Sequence, residues 1–155
     1  MINYVPFRFL ASAVLLMLST ASMARGSVGV PVGESVPARD VNVSLSDTLE
    51  MKFSEKLSVK SGEAINFIVT NKGRIRHEFF IGDKAEQIKH RKKIRSLRGE
   101  ENASAIKFEN AIFIEPGETK TLKWRFLGAG KVVIFACNIP GHFEAGARFI
   151  TVIDN

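Results

Sequence analysis

Residues 130–154 read GKVVIFACNIPGHFEAGARFITVID. Two runs rich in Val, Ile and Phe, GKVVIFAC and ARFITVID, have the composition of strands. Between them lies a loop with the Pro140-Gly141 pair, residues that punctuate rather than extend a strand. The first run ends on Cys137, the only cysteine of the chain, and His142 follows five residues later. That spacing lets one loop fold a thiolate and an imidazole onto a single metal ion. A strand, a ligand-bearing loop and a returning strand imply a β fold with chemistry at one end.

Upstream, the same period-two pattern recurs from Val41. VNVSL alternates, and TLEMKFS sets Leu49, Met51 and Phe53 on one face with Thr48, Glu50 and Lys52 on the other. KLSVKSGEAINFIVTNKG reads as two strands around a Ser61-Gly62-Glu63 turn, with Ile65, Phe67 and Val69 pointing one way. RHEFFIG is a further strand. NAIFIEPGETKTLKWRF gives two more around Glu115-Pro116-Gly117-Glu118, where proline pre-sets the turn. About eight strands with matching turn chemistry predict an all-β domain, an antiparallel β-sandwich over residues 41–155.

An insertion at about 83–109 interrupts the strands. Its first half has helix formers, but Ala85, Ile88, Ile94 and Leu97 do not form one stripe at ~100° per residue. The expectation is a short helix near 84–91 followed by a break. From Lys84 to Arg98 there are seven Lys or Arg against one Glu, so the chain's net charge of +6 is concentrated there. Lys89, Arg91, Lys92, Lys93, Arg95 and Arg98 form either a solvated face or a docking surface for an acidic protein partner or anionic lipid. No aromatic side chains interleave them as in surfaces that stack bases, so nucleic acid is not expected.

The N-terminus has the marks of an export signal. Arg8 precedes an apolar run from Phe9 to Leu18, and Ser22-Met23-Ala24 reads as a small-x-small cleavage site. The run is too short to span a bilayer of ~30 Å. Residues 1–24 are therefore expected to leave, 25–40 to form a flexible Gly/Pro/Ser-rich lead-in, and the remainder to act in an exported, periplasmic setting without a transmembrane segment. A single cysteine cannot form a disulfide within the chain. Burial and metal ligation are the two reasons for its presence.

A copper-thiolate site takes one Cys and two His in a near-trigonal plane, with a weak axial partner. Besides His142 there are only His77 and His90. His77 opens the strand HEFFIG, whose end can lie beside the loop after VVIFAC, so it is the natural second imidazole. His90, amid the basic insertion, reads as a solvent-exposed helix residue. Imidazole and thiolate would also accept Zn(II).

Three segments, SVKSGEAINFIVTNKGRIRHEFFIG, IEPGETKTLKWRF and GKVVIFACNIPGHFEAG, resemble the cupredoxins, the small blue copper proteins. The likeness runs from about Asp47 to Ile153 and is nearest to a periplasmic, plastocyanin- or azurin-like branch linked to copper handling. It implies a Greek-key β-sandwich or barrel binding one copper ion of type 1 character at its end, with His77, Cys137 and His142 as equatorial ligands. The branch usually reads C-H-x-P-G-H-x-E-A-G-M. Here Asn138 replaces the second letter, and Ala147 stands where the axial methionine would be. The insertion, often rich in Met and His in that branch, has only His90 here, with arginines and lysines instead.

Several groups are candidates for the axial place or its surroundings. Met51, the one methionine beyond residue 24, reads mainly as a core residue. The Glu144 carboxylate, a water and the Arg76 carbonyl are the others, and Asn138 is expected to hydrogen-bond across the loop and hold the ligands. The implied function is one-electron transfer or copper handling with a redox or copper-transfer protein partner. Two other classes remain. One is a binding or assembly module that kept the fold without the metal. The other is a copper oxidoreductase with an open coordination position, for which no acid/base pair beyond Glu78 and Glu144 is evident.

Overall fold

The computed structural model describes residues 28–97 and 106–155. The export signal and Arg98 lie outside the described residues. The elements are β1 (Gly29–Pro31), β2 (Arg39–Leu45), β3 (Met51–Phe53), β4 (Val59–Lys60), β5 (Ala64–Asn71) and β6 (His77–Gly82). Then come α1 (Lys84–Ser96), β7 (Ala111–Ile114), β8 (Thr119–Phe126), β9 (Val132–Ala136) and β10 (Arg148–Asp154). Two five-stranded sheets face each other, in the orders β1-β8-β5-β2-β3 and β4-β10-β9-β6-β7.

Among the described residues there are ten strands where about eight were expected, and the one with no counterpart in the sequence reading is the three-residue β1. Not all pairings are antiparallel: β2 runs parallel to β5, and β4 parallel to β10. The cause is topological. After β3 the chain crosses to β4 in the second sheet before returning as β5, and such a crossover brings parallel strands together. The turn at Ser61-Gly62-Glu63 is one crossing point, and Pro116-Gly117, between β7 and β8, is another. Gly62 and Gly117 have φ of +85° and +77°, a region open to glycine at little cost.

The lead-in expected over 25–40 is partly structured. Gly29–Pro31 pair with Phe126, Arg125 and Trp124 of β8, and Arg39 already opens β2. Gly29 is held tightly there, since a Cβ on it would collide with the Arg125 carbonyl and the Trp124 ring.

Alternation builds the core. Ile65, Phe67 and Val69 of β5 are fully buried, facing Phe79 and Ile81 of β6 and Val133 and Phe135 of β9 in one cluster. The Phe67 ring lies 5.3 Å from that of Phe79 and 5.4 Å from that of Phe135. Strand β6 departs from alternation, with all six residues buried. Phe79 and Ile81 face the sandwich, while Phe80 on the opposite side stacks against His90 of α1. Helix α1 therefore roofs the outer face of β6.

The helix is longer than expected: it continues unbroken over Lys84–Ser96. A capping box starts it, in which the Glu86 N–H donates to Asp83 Oδ1 at 2.8 Å and the Asp83 N–H to Glu86 Oε2 at 2.9 Å. The buried stripe is Gln87, His90 and Ile94, at i, i+3 and i+7. Two of these three are polar, so a search for apolar periodicity does not find the stripe. His90 is accordingly buried rather than solvent-exposed.

Candidate metal centre

The loop after β9 is held between paired strands, with Ala136 opposite Arg148. Within it the Cys137 N–H donates to the Ala147 carbonyl at 2.9 Å, and the Ala147 N–H to the His142 carbonyl at 3.0 Å. The His142 N–H donates to the Ile139 carbonyl at 3.0 Å, and Gly141 takes φ of +91°. These bonds curl the Pro140-Gly141 segment so that His142 turns back over Cys137. The distance from Cys137 Sγ to His142 Nδ1 is 3.2 Å.

His77 arrives from β6. The loop before it is pinned by the buried Asn71, whose Nδ2 donates to the carbonyls of Ile75 at 2.7 Å and Ile114 at 3.0 Å. Asp47 pins the same loop by accepting the Arg74 N–H at 2.9 Å. A Cβ at Gly73 would collide with that carboxylate, so glycine is required for the close approach. Asp47 Oδ1 lies 3.7 Å from His77 Nε2, too far for a hydrogen bond, and this buried nitrogen has no other partner among the described residues. Asp47 thus acts on His77 through its charge. Burial pushes the His77 imidazole below its ordinary pKa, the neighbouring His142 adds to the shift, and Asp47 opposes it. The ring is kept neutral, the form that offers a lone pair to a metal.

His77, Cys137 and His142 converge: their donor atoms lie within 4.8 Å of one another. The rings of His77 and His142 are 5.3 Å apart. Among the described residues, His77 and Cys137 are buried and His142 is partly exposed, so the cluster opens to solvent at the His142 edge. One soft sulfur and two imidazoles suit copper. Donors bound at ~2.0–2.3 Å in a near-trigonal plane stand about 3.5–4.0 Å apart, so the three must draw together by up to about 1 Å to share an ion.

The other residues singled out in the sequence are placed as follows. Ala147 is buried in an apolar cluster with Cys137, Ile139, Phe113 and Ile94, and Met51 packs against that cluster and against the main core. Glu144 turns outward to Arg95 of α1, at 2.7 Å and half exposed. That pairing takes it away from an axial role. Arg76 makes an ion pair with Glu115. Asn138 does not bridge the loop through its side chain, whose buried Oδ1 and Nδ2 have no partner among the described residues. Its backbone contributes instead, donating its N–H to Glu78 Oε2 at 2.8 Å. Lys89, Lys92, Lys93 and Arg95 are exposed on α1, and Arg91 lies over the Phe143 ring at 3.9 Å, tying the helix to the metal loop.

Glu78 and His90 are what sequence reasoning missed. Glu78 is fully buried, and His90 Nε2 donates to its Oε1 at 2.5 Å. The Glu78 backbone N–H donates to Cys137 Sγ at 3.2 Å. A signal was present in HEFFIG, where Phe80 shares a strand face with Glu78. An apolar residue there implies that the face is covered. Asp47 carried no comparable signal.

No model of a known protein family matches the chain. Among curated proteins it is 40% identical over 119 residues to the copper-resistant cuproprotein CopI of Vibrio cholerae, covering 77% of this chain and 68% of that protein. It is 36% identical over 119 residues to the protein of the same name from Rubrivivax gelatinosus, covering 76% and 68%. Among solved structures it resembles auracyanin B, with a TM-score of 0.62 and 18% identity over 84% of this chain and 97% of that one. Reduced auracyanin from Roseiflexus castenholzii matches with a TM-score of 0.60 and 16% identity, over 77% and 100%. At such identities the structural matches speak to the fold, and they make it a cupredoxin fold.

Proposed function

The chain belongs to the CopI family of copper-resistant cuproproteins, and from that premise we propose that it binds one copper ion through His77, Cys137 and His142. One observation carries the reading: a thiol and two imidazoles from β6 and the β9–β10 loop converge at one end of a cupredoxin fold. When bound, copper supplies a one-electron couple at that end. The chain's own residues do the rest. The sandwich fixes the donors, burial keeps His77 neutral, and the partly exposed His142 gives the one edge at which a partner meets the site. The axial interaction is weak or absent, since Ala147 brings only a methyl group into an apolar cluster. That closure disfavours an open position for a substrate, and we propose copper handling or electron transfer rather than enzymatic turnover.

Arg95 reaches the metal loop through Glu144, and with the exposed Lys89, Lys92 and Lys93 of the same helix it suits an acidic redox or copper-transfer partner. Export to the periplasm is proposed from the N-terminal signal; N-terminal sequencing of the secreted protein should find a start near Arg25. No described helix is long and apolar enough to cross a membrane. The decisive test is to titrate the protein without residues 1–24 with Cu(II) while recording visible spectra. A strong thiolate-to-copper band reaching saturation at one equivalent, and missing in Cys137→Ala, is expected. Absence of stoichiometric uptake sinks the proposal and leaves a module that kept the fold alone.

A further inference from the structure

We propose that His90 of α1 is a positioning residue for the metal centre, acting through Glu78. This rests on the copper reading above but concerns a residue outside the ligand set. Three bonds converge on one residue. Glu78 Oε1 accepts from His90 Nε2 at 2.5 Å, Glu78 Oε2 accepts the Asn138 N–H at 2.8 Å, and the Glu78 N–H donates to Cys137 Sγ at 3.2 Å. Glu78 adjoins His77 in sequence, and Asn138 adjoins Cys137. The side chain of Glu78 therefore braces the backbone of both metal-bearing segments at once, and its main chain reaches the sulfur.

A carboxylate with no exposure is stable in place only if its oxygens are satisfied. One oxygen is met by the loop and the other by the helix. Without His90, Oε1 is left buried and unpaired, and the carboxylate gains by turning away toward water and releasing Asn138. The His90 ring is itself fixed, stacked on Phe80 with centroids 4.3 Å apart and edge-on to Phe108 at 4.6 Å. It is an immobile donor, as a positioning group must be. Outer hydrogen bonds of this kind orient metal ligands and tune the metal. The insertion that carries α1 thereby becomes part of the metal site rather than an appendage to the sandwich.

The test compares wild type, His90→Phe and His90→Gln, each lacking residues 1–24. Phenylalanine keeps the ring packing and loses the donor, whereas glutamine keeps a donor. In the metal-free proteins, amide hydrogen exchange at Glu78 and Asn138 is followed by NMR. Exchange at Asn138 should be about tenfold faster or more in His90→Phe and near wild type in His90→Gln, as for loss of one hydrogen bond to a charged group. In the copper-loaded proteins, the thiolate-to-copper band and the reduction potential should move in His90→Phe and return in His90→Gln. A His90→Phe protein that is folded and matches wild type in exchange, band and potential overturns the proposal. If His90→Phe does not fold, the wild type decides. The His90 ring N–H resonance should shift when Ag(I), a redox-inert stand-in for Cu(I), is added, and an unmoved resonance in protein that has taken up the ion overturns the proposal. If wild type takes up neither ion, the copper reading falls, and the exchange rates of His90→Gln against wild type and Glu78→Ala still decide the linkage. Equal Asn138 exchange in wild type and folded Glu78→Ala rejects it.

Discussion

Asp47 lies close enough to His77 to act on it, yet it forms its hydrogen bonds with the loop before it. Its replacement separates charge from geometry, because asparagine can still accept the Arg74 N–H. Asp47→Asn should weaken copper binding by only about two- to fivefold, as for loss of a solvent-screened charge near a ligating histidine. Competition with a chelator of known affinity measures this, and an unchanged affinity removes Asp47 from the site. Met51 is the complementary case. It packs against both apolar clusters, as a flexible gap-filling side chain does. Met51→Leu is expected to cost less than about 1.5 kcal/mol in urea unfolding and to leave the thiolate-to-copper band in place. A displaced band would make Met51 an axial ligand. At this scale, scarcity made Cys137, His142 and His77 legible: with one cysteine and three histidines in the chain, there are few ways to assemble such a site. Glu78 and His90 were not legible, because their burial depends on a helix whose buried stripe is itself largely polar.

Helix α1 shows how an element can be read correctly in kind and wrongly in extent. The helix formers near Lys84 were visible, but the apolar positions gave no stripe, so a break was expected. The real stripe of Gln87, His90 and Ile94 is held by specific bonds as well as by burial: Gln87 Nε2 donates to the Ile134 carbonyl at 2.9 Å, and His90 donates to Glu78. The opposite face carries the charge. Reversing Lys89, Lys92 and Lys93 together to Glu should therefore leave the fold intact while weakening association with an acidic partner. The wild-type association should fall steeply with added salt, and the variant should lose that dependence. Surface plasmon resonance at several ionic strengths tests it, and equal binding by both proteins argues against docking on this helix. The cap is a separate matter. Asp83→Ala removes the side-chain acceptor for the Glu86 N–H and should cost about 1 kcal/mol in urea unfolding. No measurable loss would mean that packing on β6 and β9 alone holds the first turn.

Across the whole molecule, the strands were legible because period two and turn residues are local properties. The parallel pairings of β2 with β5 and of β4 with β10 were not, because they depend on which sheet each crossing enters. The same layout separates the main core from the metal end. The large cluster around Phe67, Phe79, Phe126 and Phe135 lies between the sheets, whereas Cys137 and Ala147 belong to a smaller cluster that includes Ile94 of the helix. Folding of the sandwich therefore does not require the metal. The metal-free protein should show a strand-rich far-ultraviolet spectrum and a cooperative thermal transition. Copper, by binding the folded form alone, should then raise the midpoint. Free copper at about 100 times Kd adds ~2.7 kcal/mol, which for a domain of this size is roughly 5–15 °C. Cys137→Ala should keep the transition and lose the copper-dependent increment, because the sulfur contributes to the site while the sandwich core lies elsewhere. Calorimetry with and without copper on both proteins distinguishes the outcomes. If the metal-free wild type lacks a cooperative transition, the metal end and the core are one folding unit, and the independence argued from the two clusters is wrong.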